Sequence, residues 1–169
     1  MQKEKIGFGG GCHWCTEGVF SVLNGVLKVD QGWIASTYPN DSLSEAVIVA
    51  FDPEIISLKE LFQIHLLTHS STSNHSMRKK YRSAIYTFNE LQTESSMEIL
   101  EMISEEEKTK FITQILPFSH FKKSEESFQN YFLKQPEKAF CKTYIHPKIK
   151  AIQARHKKVV NQKLISSIL

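Results

Sequence analysis

The feature that most restricts this chain is the run Gly9-Gly10-Gly11-Cys12, set between a short β-like segment and the start of a helical pattern. Residues 3–8 read as a strand, and three glycines follow, where positive φ or the close approach of another backbone is open to glycine alone. From His13 the apolar residues Trp14, Val19, Phe20 and Leu23 recur at three- and four-residue steps until Asn24-Gly25 stops them. Strand, glycine turn and helix therefore form the first unit, and it delivers Cys12 to a helix N-terminus. There the unsatisfied backbone N–H groups and the positive end of the helix dipole favour thiolate over thiol. A lowered pKa and an accessible turn mark a reactive cysteine; the competing reading is a small buried hydrophobe.

The remaining elements follow from patterning. Residues 26–33 and 46–51 read as strands joined by a loop over 35–44. Ser57 and Glu60 form a capping box ahead of Leu58, Leu61, Phe62, Ile64 and Leu67, a helix. A polar loop over 69–80 leads to a strand over 83–88, and Asn89 caps a charged helix to about residue 110. A short strand over 111–116, a helix from Ser124 to before Pro136 and a basic helical tail at about 148–168 complete the reading. Strands and helices mix without strict alternation, so the class is α+β, an open sheet with helices packed on it, as a single domain over 1–169.

A chain of 169 residues buries roughly 70% of the surface its unfolded form exposes, so neither a disulfide nor a metal is needed to hold it. Cys12, Cys15 and Cys141 are thereby left for chemistry. Their odd number, a start without an apolar segment and the lack of any run near the roughly eighteen apolar residues of a membrane span point to a reducing cytoplasm. A net charge of +3, with lysines and acids interleaved, does not suggest nucleic-acid binding. Cys12-His13-Trp14-Cys15 is a C-x-x-C, either a thiol–disulfide couple or half of a zinc site. Zinc would need His65 and His69, which share one helical face, and would make the chain an interaction module. No second C-x-x-C and no His-Glu-x-x-His are present.

Three ordered blocks carry a resemblance. Gly10-Gly11-Cys12-His13-Trp14-Cys15-Thr16-Glu17, the stretch from Glu45 to Asp52-Pro53, and Tyr81-Arg82-Ser83-Ala84-Ile85-Tyr86 are similar in order and spacing to motifs of A-class peptide methionine sulfoxide reductases. Phe140-Cys141 and Ile145-His146-Pro147-Lys148 resemble a C-terminal segment of many members. The resemblance implies a two-layer α/β sandwich with a ferredoxin-like mixed sheet. It also implies reduction of methionine-S-sulfoxide, free or in proteins, by a monomer with no cofactor and no metal. On this resemblance Cys12 is the nucleophile, Glu45 the acid that protonates the sulfoxide oxygen, and Tyr81 a hydrogen-bond donor to that oxygen. His13, Trp14 and Trp33 line the substrate. A sulfenic acid on Cys12 is resolved by Cys141 or Cys15, Cys141 being preferred, and thioredoxin or a similar dithiol reduces the disulfide. From the residues alone, Glu45 reads as a strand-end surface glutamate, and Tyr81, opening a strand beside the polar loop, either turns its hydroxyl to a cleft or is a rim aromatic.

The chain departs from that pattern at identifiable points. His13 stands where the family has phenylalanine, and Trp33 follows Gly32 where it has tyrosine. The loop before Tyr81 reads Asn74-His75-Ser76-Met77-Arg78-Lys79-Lys80 instead of Asn-Asp-x-Gly-Thr-Gln, and Gln129 replaces a histidine. These changes leave open a divergent relative that uses Cys12 as a thiol redox sensor.

Overall fold

The computed structural model describes residues 2–169. Among these, β1 (Glu4–Gly9), β2 (Val26–Ala35), β3 (Ser44–Phe51), β4 (Ala84–Thr87), β5 (Gln114–Pro117) and β6 (His120–Lys123) form one sheet in the order β5-β4-β1-β3-β2-β6. Every pairing is antiparallel except β4 with β5, so the sheet is mixed. The helices are α1 (His13–Ser21), α2 (Leu58–Leu67), α3 (Glu90–Glu107), α4 (Tyr131–Lys134), α5 (His146–Arg155) and α6 (Gln162–Ile168).

Strand alternation sorts the apolar residues into two layers. Ile6 and Phe8 of β1, Val47, Val49 and Phe51 of β3 and Ile85 of β4 are fully buried against Val19 and Phe20 of α1, Leu61, Phe62 and Ile64 of α2 and Ile149 and Ile152 of α5. Phe8 and Phe20 stack with ring centroids 4.6 Å apart, and each such side chain stabilises the fold by about 2 kcal/mol. The reverse face is thinner: Ile34, Ala46, Ala84 and Tyr86, covered by residues such as Phe118 and Phe121. The β2–β3 register opposes Trp33 to Glu45 and Gln31 to Val47, so Glu45 and Trp33 share the helix-side face with the core residue Val47. That register carries the carboxyl to the end of the sheet over which α1 begins.

The capping box forms as the sequence indicates: Ser57 Oγ accepts from the Glu60 N–H and the Glu60 carboxylate accepts from the Ser57 N–H. Three segments differ from their patterns. The strand expected over 111–116 is β5, shifted to Gln114–Pro117, and β6 was not legible because its sequence His-Phe-Lys-Lys has three polar residues out of four. Such polar, short strands suit the edges, where charge blocks further pairing. In place of a helix from Ser124, a 3₁₀ turn (Glu126–Phe128) and the one-turn α4 flank Asn130 at φ 57°. The basic tail is broken into α5, a 3₁₀ turn at Lys157–Val159 and α6. The break is tertiary in origin: the Asn24 N–H donates to the Val159 carbonyl and the Asn161 N–H to the Val22 carbonyl, and Leu23 pairs with Val160 as a one-residue bridge.

The Ser124 segment departs from helix for a similar reason. Glu17 of α1 is fully buried, and its carboxylate accepts from the backbone N–H of Asn130 (2.8 Å) and Tyr131 (2.9 Å) and from Gln31 Nε2 (3.0 Å). Gln31 N donates to Gln129 Oε1, while Gln129 Nε2 donates to the Gln31 carbonyl and to Ser124. Burial pushes the Glu17 carboxyl upward and the three N–H donors pull against it. A buried network of this kind is stabilising only while every member is satisfied. Glu17→Ala strands three donors and is expected to cost about 3 kcal/mol, read as a lower urea midpoint at unchanged m-value; a midpoint within error of wild type would show that the network is dispensable.

Candidate active site

Cys12 occupies the N-cap of α1, half-buried, where its carbonyl already accepts from the N–H groups of Cys15 and Thr16 at 3.1 Å. Its thiol is lowered from the ordinary value to about 7. The largest cause is a hydrogen bond from the Cys15 thiol; the backbone amides of Trp14 and Cys15 add to it, while burial and the charge of Glu45 oppose it. Cys15 is pushed strongly upward by the same hydrogen bond and by burial, so the pair behaves as a thiolate at Cys12 and a thiol at Cys15. Cys141 is fully buried in the π-helical turn Cys141–Ile145 that runs into α5, and burial raises its pKa.

The turn that presents Cys12 depends on Gly10. Its φ is 156°, and a Cβ there would lie 2.4 Å from the His69 ring. The Gly10 carbonyl accepts from Arg78 Nη1 at 2.9 Å, and the same nitrogen donates to the Tyr81 carbonyl at 2.9 Å. The other guanidinium nitrogens reach the Ser73 and Ser70 carbonyls. Arg78 thus ties the turn that presents Cys12 to the loop that carries Tyr81. Tyr81 itself follows the 3₁₀ turn Ser76–Lys79 and precedes β4, instead of opening the strand. The loop is docked on β3 as well, since the Glu45 N–H and Ser44 Oγ both donate to the Lys80 carbonyl at 2.9 Å.

Glu45 is buried, not a surface residue, with 7% exposure. His13 Nε2 lies 3.3 Å from Oε1, and Lys80 Nζ lies 3.8 Å from Oε2, which has no hydrogen-bond partner. The Lys80 ammonium sits 5.1 Å from the Tyr81 ring centroid; its pKa is raised first by a hydrogen bond to Tyr81, then by the charge of Glu45. Cys12 contributes to the same shift, so Cys12, Glu45, Tyr81 and Lys80 lie within electrostatic reach of one another.

The aromatic residues divide into two groups. Trp33 is half-buried and packs edge-on against His13, centroids 5.1 Å apart. Trp14, its ring 6.3 Å from that of His13, stacks on Tyr131 (4.4 Å, 13°), with Phe128 and Phe140 closing around it. The Glu17–Gln31–Gln129 network delivers Phe128 and Tyr131 to this place. Neither aromatic, nor the roles of Arg78 and Lys80, was legible in the sequence: the basic loop was conspicuous, but its partners are distant in sequence.

A cavity of about 200 Å³ lies on the other side of Cys12, between α1, α2 and α5, lined by Cys12, Cys15, His65, His69, Tyr144 and Lys148. It brings together the four residues of the zinc alternative without making a ligand set. Both nitrogens of His69 are engaged, one with the His65 carbonyl and the other with Ser83 Oγ, and burial lowers both imidazoles. Among the described residues no group of three or more His, Cys, Asp or Glu is placed to hold a metal ion. No helix among them is long and apolar enough to cross a membrane.

A thiolate at a helix N-terminus, a second thiol bonded to it and a buried carboxyl beside it define a thiol-dependent oxidoreductase. The comparisons with known proteins sharpen that class. The family model described as peptide methionine sulfoxide reductase matches residues 4–161, and the chain belongs to that family. The peptide methionine sulfoxide reductase MsrA of Deinococcus radiodurans is 34% identical over 163 residues, covering 87% of this chain and 79% of the relative. Methionine sulfoxide reductase A of Corynebacterium diphtheriae superposes with a TM-score of 0.68 at 26% identity, covering 79% of this chain and 76% of that one. Mxr1 of Saccharomyces cerevisiae, solved in complex with Trx2, shares the fold with a TM-score of 0.60 at 23% identity, covering 77% and 85%.

The thiolate assignment sets a pH dependence. Alkylation of Cys12 by iodoacetamide rises with pH through a midpoint at about 7, because only the thiolate reacts. Cys15→Ala removes the largest lowering influence, and the midpoint moves upward; an unmoved midpoint would show that the helix amides alone set it.

Proposed function

We propose that this chain reduces methionine-S-sulfoxide, free or within proteins, with Cys12 as nucleophile, Glu45 as acid and Tyr81 as hydrogen-bond donor to the sulfoxide oxygen. The observation that carries this reading is the grouping of a thiolate-forming Cys12 with Glu45 and the Tyr81–Lys80 pair at one end of the sheet. The Cys12 thiolate attacks the sulfoxide sulfur and a proton goes to the oxygen. The S–O bond of the substrate breaks, leaving methionine and a sulfenic acid on Cys12. The substrate sulfur gains two electrons and Cys12 loses two.

Cys15 is the resolving thiol in this proposal, in preference to Cys141. The Cys15 thiol is the largest influence on the Cys12 sulfur, whereas Cys141 is fully buried in the turn that leads into α5. Cys15 attacks the sulfenic acid, water leaves, and a Cys12–Cys15 disulfide forms. A dithiol then returns both cysteines to the reduced state by exchange. Thioredoxin is the natural candidate, since yeast Mxr1 was solved with Trx2. Three free thiols suit a reducing cytoplasm. The apolar ends of the site, Trp33 beside His13 and Trp14 with its aromatic cover, suit a thioether methyl and a neighbouring peptide chain.

Sulfoxide reduction assayed with dithiothreitol tests the nucleophile: wild type turns over and Cys12→Ser does not. Equal activity, or none in either protein, would overturn the reading. With thioredoxin as reductant, Cys15→Ser is expected to lose at least about a hundredfold in turnover while keeping its dithiothreitol activity, and Cys141→Ser to stay within about threefold of wild type. The reverse pattern assigns resolution to Cys141.

A further inference from the structure

His13 is buried, with 6% exposure, and both of its ring nitrogens face an oxygen. Nδ1 lies 2.9 Å from the Gly32 carbonyl and Nε2 lies 3.3 Å from Glu45 Oε1. A carbonyl oxygen only accepts, so Nδ1 carries a hydrogen and donates it. Nε2 then has two ways to meet the carboxyl. As neutral imidazole it accepts the carboxyl proton; as imidazolium it donates to the carboxylate. These differ only in where one proton sits along a single contact.

The surroundings leave that pair facing the site. Lys80 Nζ is 3.8 Å from Glu45 Oε2, Cys12 is the neighbour at the head of α1, and Tyr81 lies under the Lys80 ammonium. From β6, Lys122 reaches the far side of Trp33, 6.0 Å from its ring. Oε2 is buried without a hydrogen-bond partner. Gly32 takes part twice: its carbonyl fixes the imidazole, and its missing side chain admits β6, whose Lys122 carbonyl would lie 2.2 Å from a Cβ.

We propose that His13 and Glu45 jointly hold the proton delivered to the sulfoxide oxygen, with Glu45 as donor and His13 as the positioning residue that stores the proton behind it. This rests on the reductase reading above. During the step, the pair gives up its one proton to the oxygen as the substrate S–O bond breaks and an S–O bond forms on Cys12. It is left as a carboxylate and an imidazole with its hydrogen on Nδ1, and one proton from water restores it. A phenylalanine at residue 13 leaves the carboxyl with the Lys80 ammonium as its only close polar neighbour.

The test is steady-state reduction of methionine sulfoxide by the full chain with dithiothreitol, across about pH 6 to 9, for wild type, His13→Phe, His13→Gln, Glu45→Gln and the His13→Phe/Glu45→Gln double variant. Glutamine keeps a donor for the Gly32 carbonyl but cannot take up a proton. Both His13 variants are expected to lose about tenfold or more in kcat, with KM within about twofold. The double variant is no slower than Glu45→Gln alone. Iodoacetamide alkylation of Cys12 at pH 7 stays within about threefold of wild type and reports an intact nucleophile. Wild-type kcat in His13→Gln, or losses that multiply in the double variant, overturn the shared proton. A rise in KM alone overturns it too, by making His13 a wall of the methyl pocket. A wild-type protein that does not turn over sulfoxide overturns the reductase reading instead, which is a different result.

Discussion

Everything chemical in this molecule hangs on the chain reversal at Gly10. Between the last residue of β1 and the first turn of α1 the backbone takes a φ of 156°, with the His69 ring packed where a side chain would stand. That one conformation points the α1 amides at Cys12 and turns the Gly10 carbonyl toward Arg78. Arg78 then spreads over four carbonyls, two of them belonging to Gly10 and Tyr81. A guanidinium suits this task because its donors are fixed in one plane, so that the two loops it joins are held in register as well as in contact. Cys12 and Tyr81 are thus parts of one brace.

A second brace is polar and fully buried. The Glu17 carboxylate holds α1, β2 and the segment leading to α4 through hydrogen bonds that have no apolar substitute of the same shape. An apolar contact tolerates sliding, whereas a carboxylate satisfied by three N–H groups accepts only one arrangement. The aromatic wall around Trp14 is placed by this arrangement, because Phe128 and Tyr131 flank the atoms that Glu17 and Gln31 bind. The aromatic side of the site is therefore set by polar chemistry behind it.

How much of this was legible in the sequence depends on the range of the interactions involved. The glycine turn, the α1 periodicity and the Ser57 capping box are local, and they read correctly because their partners lie within four residues. Glu45 could not be read that way: its burial comes from register with Trp33 and from His13 and Lys80, none near it in sequence, so residue type alone favoured a surface position. The segment after Ser124 was expected to be helical because its composition permits helix, and tertiary hydrogen bonds to Gln31 and Glu17 override that propensity. Cys15 and Cys141 differ in their sulfur environments, which spacing does not contain. His13 was visible as a departure, but its two contacts, with Gly32 and Glu45, needed three dimensions.

The bridge between Leu23 and Val160 also bears on the order in which the molecule can be assembled during synthesis. The far end of α1 is clipped by backbone and side-chain bonds to residues 159–161, with Asn24 and Val160 separated by 136 positions in the chain. Its middle is held by Asn130 and Tyr131, more than a hundred positions away. Contacts of such sequence separation close late. The helix headed by Cys12 leaves the ribosome among the first elements and is completed among the last. A growing chain therefore does not finish the packing around α1 until residue 161 can reach back to residue 22.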